Sequence, residues 1–190
     1  HQNYLNVKHL SEKDPLTGLS NRYHFNVMMD VLIDPTKGGR VDVALLVMDL
    51  DNFKFINDSM GHDAGDRLLI EFATRIKKLL RRHESFARLG GDEFAIILNG
   101  IKSTQQVRLV AQRIHDALKA PMKVNEAQEV QCRASIGCAI YPLHAPDKDT
   151  LIKYADVAMY QAKADGKGKM RLYDKTMSAQ HARLFNIQTG

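Results

Sequence analysis

The amino-acid sequence predicts an α/β (α+β) domain in which a mixed or antiparallel sheet is covered by helices. Three observations carry that expectation. Residues 41–50, VDVALLVMDL, are an almost unbroken apolar run rich in Val and Leu, as a central strand buried on both faces requires. Residues 86–98, FARLGGDEFAIIL, set two short strand-like runs around paired glycines, the pattern of a β-hairpin. Several other segments repeat apolar residues at helical spacing, which argues for helices packed against the sheet.

The elements follow in order. Ser20 and Asn21 are good N-caps for a helix over 20–33 that carries Phe25, Met28, Met29 and Leu32 and stops at DPTKGG. After the central strand, 51–66 reads as a turn leading into a helical segment, and apolar residues at 68, 69, 72, 73, 76, 79 and 80 make one helical stripe over 66–80. Beyond the hairpin, 103–119 repeats the helical period through Val107, Val110, Ala111, Ile114 and Leu118. VQCRASIGCAIYP is a strand by its β-branched, alternating content, and Pro142 closes it. A last helix carries Leu151, Ala155, Ala158, Met159 and Ala162, and a short strand MRLY follows. Residues 1–13 read as the end of a helix from an upstream segment, and 174–190 as the start of a linker, with Met177, Leu184 and Ile187 at rough helical spacing.

At 190 residues and 44% hydrophobic, the chain suffices for one sizeable core and is too short for two ordinary domains. No apolar run is long enough to span a bilayer, and HQNYLNVKHLSEK lacks the order of a secretory signal, so this piece is expected to be soluble and cytoplasmic, any membrane anchor of a longer protein lying in segments outside it. Cys132 and Cys138 match neither a metal pair nor a disulfide framework and read as core thiols. The net charge of +5 fits a polyanionic partner, although RIKKLLRR (75–82), which holds much of the excess, reads as the solvated face of a helix. Nucleic-acid binding is disfavoured, because 7% aromatic content leaves few stacking platforms and no aromatic strand motif is present.

The chemistry concentrates in carboxylates. Asp49 closes the buried strand, and Asp92 and Glu93 crowd into the hairpin turn, where neighbouring strands of one sheet can bring them together. Two carboxylates about 4 Å apart repel by roughly 4 kcal/mol at an effective dielectric near 20, a cost that a divalent cation and its phosphates would reverse. Mg²⁺ suits such a socket, since it takes one or two carboxylates together with phosphate and water. The competing reading is a solvated acidic turn, because Asp and Gly are ordinary turn formers. The turn after the central strand exposes N–H groups ahead of a helix, as phosphate sites do. Asn57 and Asp66 offer the donors and acceptors that read a guanine edge, but both residue types also cap loops. Lys163 and Lys167, four apart, read either as phosphate clamps on one helix face or as a charged helix end.

Five stretches taken together, DPLTGLSNR (14–22), MDLDNFKFINDSMGHDAGD (48–66), RLGGDEF (88–94), ASIGCAIYP (134–142) and ADVAMYQAKADGKGK (155–169), resemble the GGDEF family of bacterial diguanylate cyclases. The resemblance runs over residues 14–173. It implies a fold like the palm of nucleotidyl cyclases and polymerases, and condensation of two GTP into cyclic di-GMP with release of two pyrophosphates. It further implies Mg²⁺ (or Mn²⁺) held by Asp49, the Leu50 carbonyl and Asp92, with Glu93 near metal and attacking hydroxyl as ligand or base. Asn52, Phe53 and Lys54 match the phosphate loop, Asn57 and Asp66 the guanine readers, and Gly91, Lys163 and Lys167 further substrate-binding positions. Asp14 and Arg22 match a structural pair.

Three departures accompany the match. Lys167 stands where the family usually has arginine, and Gly168 where it has asparagine, which makes the grip on phosphate less bidentate. Arg81 and Glu84 occupy the positions of an RxxD product-inhibition site, with glutamate in place of aspartate, so weakened feedback is expected. One domain carries one GTP and the product joins two, so the resemblance also implies a two-fold homodimer. The family resemblance implies upstream sensory segments that set how the two domains meet. The tail YDKTMSAQHARL is similar to the segment that leads into an EAL phosphodiesterase domain in tandem GGDEF–EAL proteins, which implies a downstream EAL domain. In that setting the alternative function is a GTP-binding regulatory module with little turnover.

Overall fold

The computed structural model describes residues 11–34, 36 and 41–189, and side chains up to residue 182. In chain order the elements are α1 (Arg22–Leu32), β1 (Val43–Leu50), α2 (Phe53–Met60), α3 (His62–Lys77), β2 (Ser85–Gly90) and β3 (Glu93–Asn99). They continue with α4 (Thr104–Ala117), β4 (Met122–Lys123), β5 (Glu129–Val130), β6 (Ala134–Tyr141), α5 (Lys148–Ala164), β7 (Met170–Leu172) and α6 (Lys175–Thr189). Five strands form one mixed sheet in the order β2-β3-β1-β6-β7, with only the β6–β7 pair parallel. β4 and β5 make a separate two-stranded ribbon.

Strand side chains alternate between faces, and this explains why β1 is apolar without interruption. Val43, Leu45 and Val47 pack with Phe25 and Met29 of α1 and with Leu151, Ala155 and Ala158 of α5. Ala44, Leu46, Met48 and Leu50 pack on the opposite face with Leu68, Phe72 and Ile76 of α3 and Val107 and Ile114 of α4. Each fully buried Val or Leu contributes roughly 1.5–3 kcal/mol. A carboxylate is therefore tolerated only at the rim of this strand, where Asp49 stands half-buried. Phe94 anchors the hairpin, its ring 4.8 Å from Phe72 and 5.8 Å from Phe86. The helices begin on side-chain caps: the Asn21 side chain accepts from the His24 N–H at 2.9 Å, and Asp147 accepts from the Thr150 N–H at 2.8 Å.

Several expectations are corrected. Residues 51–52 turn into helix α2 as expected, but the next helix, α3, starts at His62, ahead of the expected 66, and Leu79 and Leu80 lie in the turn beyond its end. Residues 11–13 form a turn and a bridge from Lys13 to Ser20, not a helix; residues 1–10 lie outside the described residues. Asp14 pairs with Arg88 at 3.1 Å, whereas Arg22 donates to the Leu89 carbonyl at 3.0 Å, so the two do not form an ion pair with each other. Arg75 is not merely solvated: its guanidinium donates to the carbonyls of Ala117, Ala120 and Pro121, satisfying the C-terminal end of α4. The cysteines are buried and free as expected, and burial pushes the Cys132 thiol up to about 12.

Candidate active site

The site forms where β1 ends. Strand register sets Asp49 directly opposite Glu93 on β3 and Ser135 on β6. Opposed residues of an antiparallel pair share a face, so Asp49 and Glu93 both project toward α5. There Lys163, in the last turn of α5, meets the Asp49 carboxylate at 2.5 Å. Asp92 sits in the turn, its carbonyl accepting from the Leu50 N–H at 3.3 Å. The turn is braced from behind: Arg88 donates to the Gly91 carbonyl at 2.9 Å while its other arm holds Asp14, and Arg22 holds Leu89. Gly90 and Gly91 both adopt positive φ, at 144° and 48°, which lets the chain reverse tightly enough to present Asp92 and Glu93 side by side.

Partial burial, and after it neighbouring charge, disfavours ionisation of these carboxyls. Burial, and after it the charge of Asp49, raises the Asp92 carboxyl above its ordinary value, with Lys163 opposing. Burial raises Glu93 as well, followed by Asp156 and then Asp49, with Arg22 opposing. Asp156 on α5 is raised by burial and by Asp49. Glu93, Asp156 and Lys163 line a cleft of about 610 Å³ that continues to Tyr160 and His181. Among the described residues no three Asp, Glu, His or Cys side chains form a group placed to hold a metal. Glu93 lines the α5 cleft on the same sheet face as Asp49.

Asp51, whose place in the sequence gives no hint of its role, fastens the turn after β1. Its carboxylate accepts from the Ser135 hydroxyl at 2.6 Å and the Gly168 N–H at 2.8 Å, and its own N–H donates to the Arg133 carbonyl at 2.8 Å. Asn52 then takes a left-handed conformation, φ 61°, and accepts from Lys167 Nζ at 3.1 Å before α2 begins at Phe53. The N–H groups of the first helical turn, at Phe53 and Lys54, have no intrahelical acceptor and point out of the helix start. Lys167 lies beyond the end of α5 in a left-handed conformation, φ 65°, so it does not share a helix face with Lys163; the two reach the site from different directions. The Asp-Ser pairing across 84 residues left no local signal that could have exposed it.

Asn57 on α2 leans over the start of α3. A Cβ on Gly65 would stand 1.7 Å from the Asn57 side-chain oxygen, so the absence of a side chain there makes room for the amide; Asp66, the next residue, is exposed. Arg81 and Glu84 sit apart, in the turn after α3, bordering a cavity of about 210 Å³ with Arg113. The Glu84 carboxylate accepts from the Arg81 N–H at 2.9 Å and is thereby turned onto its own loop.

Comparison with known proteins identifies the family of this fold. The family model described as the diguanylate cyclase GGDEF domain matches residues 11–169. The chain belongs to the GGDEF family, and its five-stranded mixed sheet between helices is the palm-like fold of that family. Diguanylate cyclase TpbB of Pseudomonas aeruginosa is 38% identical over 166 residues, covering 87% of this chain and 38% of that protein. A solved structure comprising only the GGDEF domain of TpbB superposes with a TM-score of 0.85 at 36% identity, covering 90% of this chain and 99% of that one. The bifunctional diguanylate cyclase/cyclic di-GMP phosphodiesterase MucR of the same organism is 36% identical over 90% of this chain and 24% of its own. The chain thus spans less than half the length of these curated relatives. No helix among the described residues is long and apolar enough to cross a membrane.

Proposed function

We propose that this chain is a diguanylate cyclase domain over residues 14–173 that condenses two GTP into cyclic di-GMP and two pyrophosphates, one GTP from each domain of a two-fold pair. The observation that carries the reading is the register of β1 on β3, with Asp49 opposite Glu93 and Asp92 bonded to the Leu50 N–H. The donor set of two aspartates and the Leu50 carbonyl is all oxygen, which suits Mg²⁺ or Mn²⁺, and the Asp92 carboxyl, raised by burial first and by the charge of Asp49 second, is one whose ionised form a cation would stabilise. When bound, the cation neutralises developing charge and activates the reacting oxygens. The chain's own groups do the rest. Phe53 and Lys54 N–H groups hold phosphate oxygens, Asn57 and Asp66 read guanine, and Glu93 accepts the proton of the attacking 3′-hydroxyl as its oxygen bonds the α-phosphorus and pyrophosphate leaves. Lys163 exchanges its contact with Asp49 for phosphate. The cytoplasm, with its nucleotide pool and reduced thiols, is the compartment this chemistry needs.

Incubation of the chain with GTP and Mg²⁺ at high protein concentration, followed by separation of products, tests the reading. Cyclic di-GMP and pyrophosphate should form and a chelator should stop them. A second reading, a GTP-binding regulatory module beside an EAL domain reached through 174–190, is favoured by Lys167 and by the kinship to MucR. Bound GTP without product in an enforced dimer would select it.

Two further outcomes follow from the geometry. Gly65→Ala should lower GTP affinity about as much as Asn57→Ala does, by roughly tenfold, because its Cβ displaces the amide. Melting temperature should hold or rise, since Ala exceeds Gly in helix propensity by about 1 kcal/mol. Cyclic di-GMP should inhibit weakly, because Glu84 is engaged with its own loop. Strong inhibition that Arg81→Ala abolishes would overturn this.

A further inference from the structure

Arg133 occupies a position that the cyclase reading leaves without a task. It immediately precedes β6, and its carbonyl accepts from the Asp51 N–H at 2.8 Å, so its backbone is tied to the turn that leads into α2. Its side chain is exposed and makes no hydrogen bond or ion pair with any described residue. The guanidinium nevertheless has a defined seat. A Cβ on Gly168 would stand 2.6 Å from Nη2, 2.7 Å from Nε and 2.8 Å from Cζ, so the forked end lies flat where any side chain at 168 would be. Gly168 in turn holds Asp51 through its N–H at 2.8 Å, and the preceding residue, Lys167, reaches Asn52 at 3.1 Å.

The charges around this seat decide what it can bind. The nearest carboxylate on the turn, Asp51, is already satisfied by Ser135 and Gly168. Arg133 and Gly168 also line a cleft of about 530 Å³, so the guanidinium faces open space instead of packed protein. An unpaired, oriented guanidinium beside a left-handed turn that opens into a helix N-terminus is complementary to a phosphate group, which it can grip through two parallel N–H donors. Lys167, a single-point donor, cannot supply that fork.

We propose that Arg133 binds the terminal phosphates of the nucleoside triphosphate, reaching over Gly168 to the turn at 51–54 and acting with Lys167 as a two-part clamp. The assignment rests on the reading of the chain as a GTP-binding cyclase domain. Gly168 is then part of the device: at φ 62° the position accepts Gly or Asn without backbone strain, but only Gly leaves room for the guanidinium.

Calorimetric titration of GTP and GMP in Mg²⁺ tests it, with Asn57→Ala as the control for guanine recognition. Arg133→Ala should weaken GTP about tenfold or more while GMP changes less than about twofold, and Arg133→Lys should recover part of the loss. Gly168→Asn should reproduce the GTP loss by evicting the guanidinium, and adding Arg133→Ala to it should cost little more. Unchanged GTP affinity in Arg133→Ala, or equal loss for GTP and GMP, overturns the clamp while leaving the cyclase reading intact. Failure of the unaltered chain to bind either nucleotide overturns both.

Discussion

Replacing Glu93 with glutamine is expected to lower the rate of cyclic di-GMP formation by about 10²–10⁴-fold, the usual loss for a positioned proton acceptor. The same change should raise the melting temperature of the metal-free chain at neutral pH. Both effects come from one arrangement. Glu93 is held half-buried opposite Asp49, facing Asp156 in the α5 cleft, and burial, Asp156 and Asp49 raise its carboxyl in that order. A raised carboxyl is a better proton acceptor near neutrality than a free one, and an ionised carboxylate in such a place opposes folding. Glutamine keeps the shape and removes the charge.

The pH dependence of the stability gain has a definite sign. Because the folded-state value lies above the unfolded one, the folded chain binds the extra proton first, and unfolding becomes easier as pH rises through that window. Wild type and Glu93→Gln should therefore melt together below about pH 4, where the carboxyl is protonated in both states. The variant should pull ahead as pH rises past the raised folded value. Thermal melts across pH in the presence of chelator measure this directly. A variant that is less stable than wild type at neutral pH would show that Glu93 is held by an attractive partner instead.

What the sequence made legible has a physical pattern. β1 and the hairpin were readable because burial on both faces demands an unbroken apolar run and because paired glycines mark a reversal. The helices α1, α3, α4 and α5 announced themselves by periodicity. α2 did not: it has eight residues, buries only Ile56, and starts from left-handed Asn52 with no side-chain cap. The β4–β5 ribbon, two residues per strand, is too short for any period to show. Within the site, the motif residues were visible as types, and the register explains how Asp49 and Glu93 meet. Pairings such as Lys163 with Asp49, 114 residues apart, and Arg88 with Asp14, 74 apart, arise only when the sheet assembles. For the same reason local sequence does not reveal that Arg88, and not Arg22, pairs with Asp14, or that Asp51 bonds Ser135.

Gly137→Ala should be the most destabilising single-methyl change in the sheet. Gly137 lies in mid β6, opposite Val47 and beside Arg171 of β7. A Cβ there would meet the Met159 nitrogen at 2.1 Å, the Ala155 carbonyl oxygen at 2.2 Å and the Met159 Cα at 2.6 Å, all backbone atoms of α5. Flexible side chains can rotate out of a clash, but a helix backbone must move as a unit. Ala155, Ala158 and Ala162 line the helix with small side chains, and all are buried, so the close approach is a built feature of this interface. Overpacking ordinarily costs about 1–3 kcal/mol, and with no side chain able to yield, the upper end, about 3 kcal/mol, is expected. For a domain of this size that corresponds to a fall in melting temperature of roughly 6–12 °C. The displacement also carries a functional signature, because α5 bears Lys163 at its far end and the helix sets the reach of its ammonium to Asp49. Turnover measured well below the new melting temperature should therefore fall as well. A melting temperature within a degree of wild type would mean that α5 can lift from β6 without loss, and that the helix does not fix the lysine against the carboxylate.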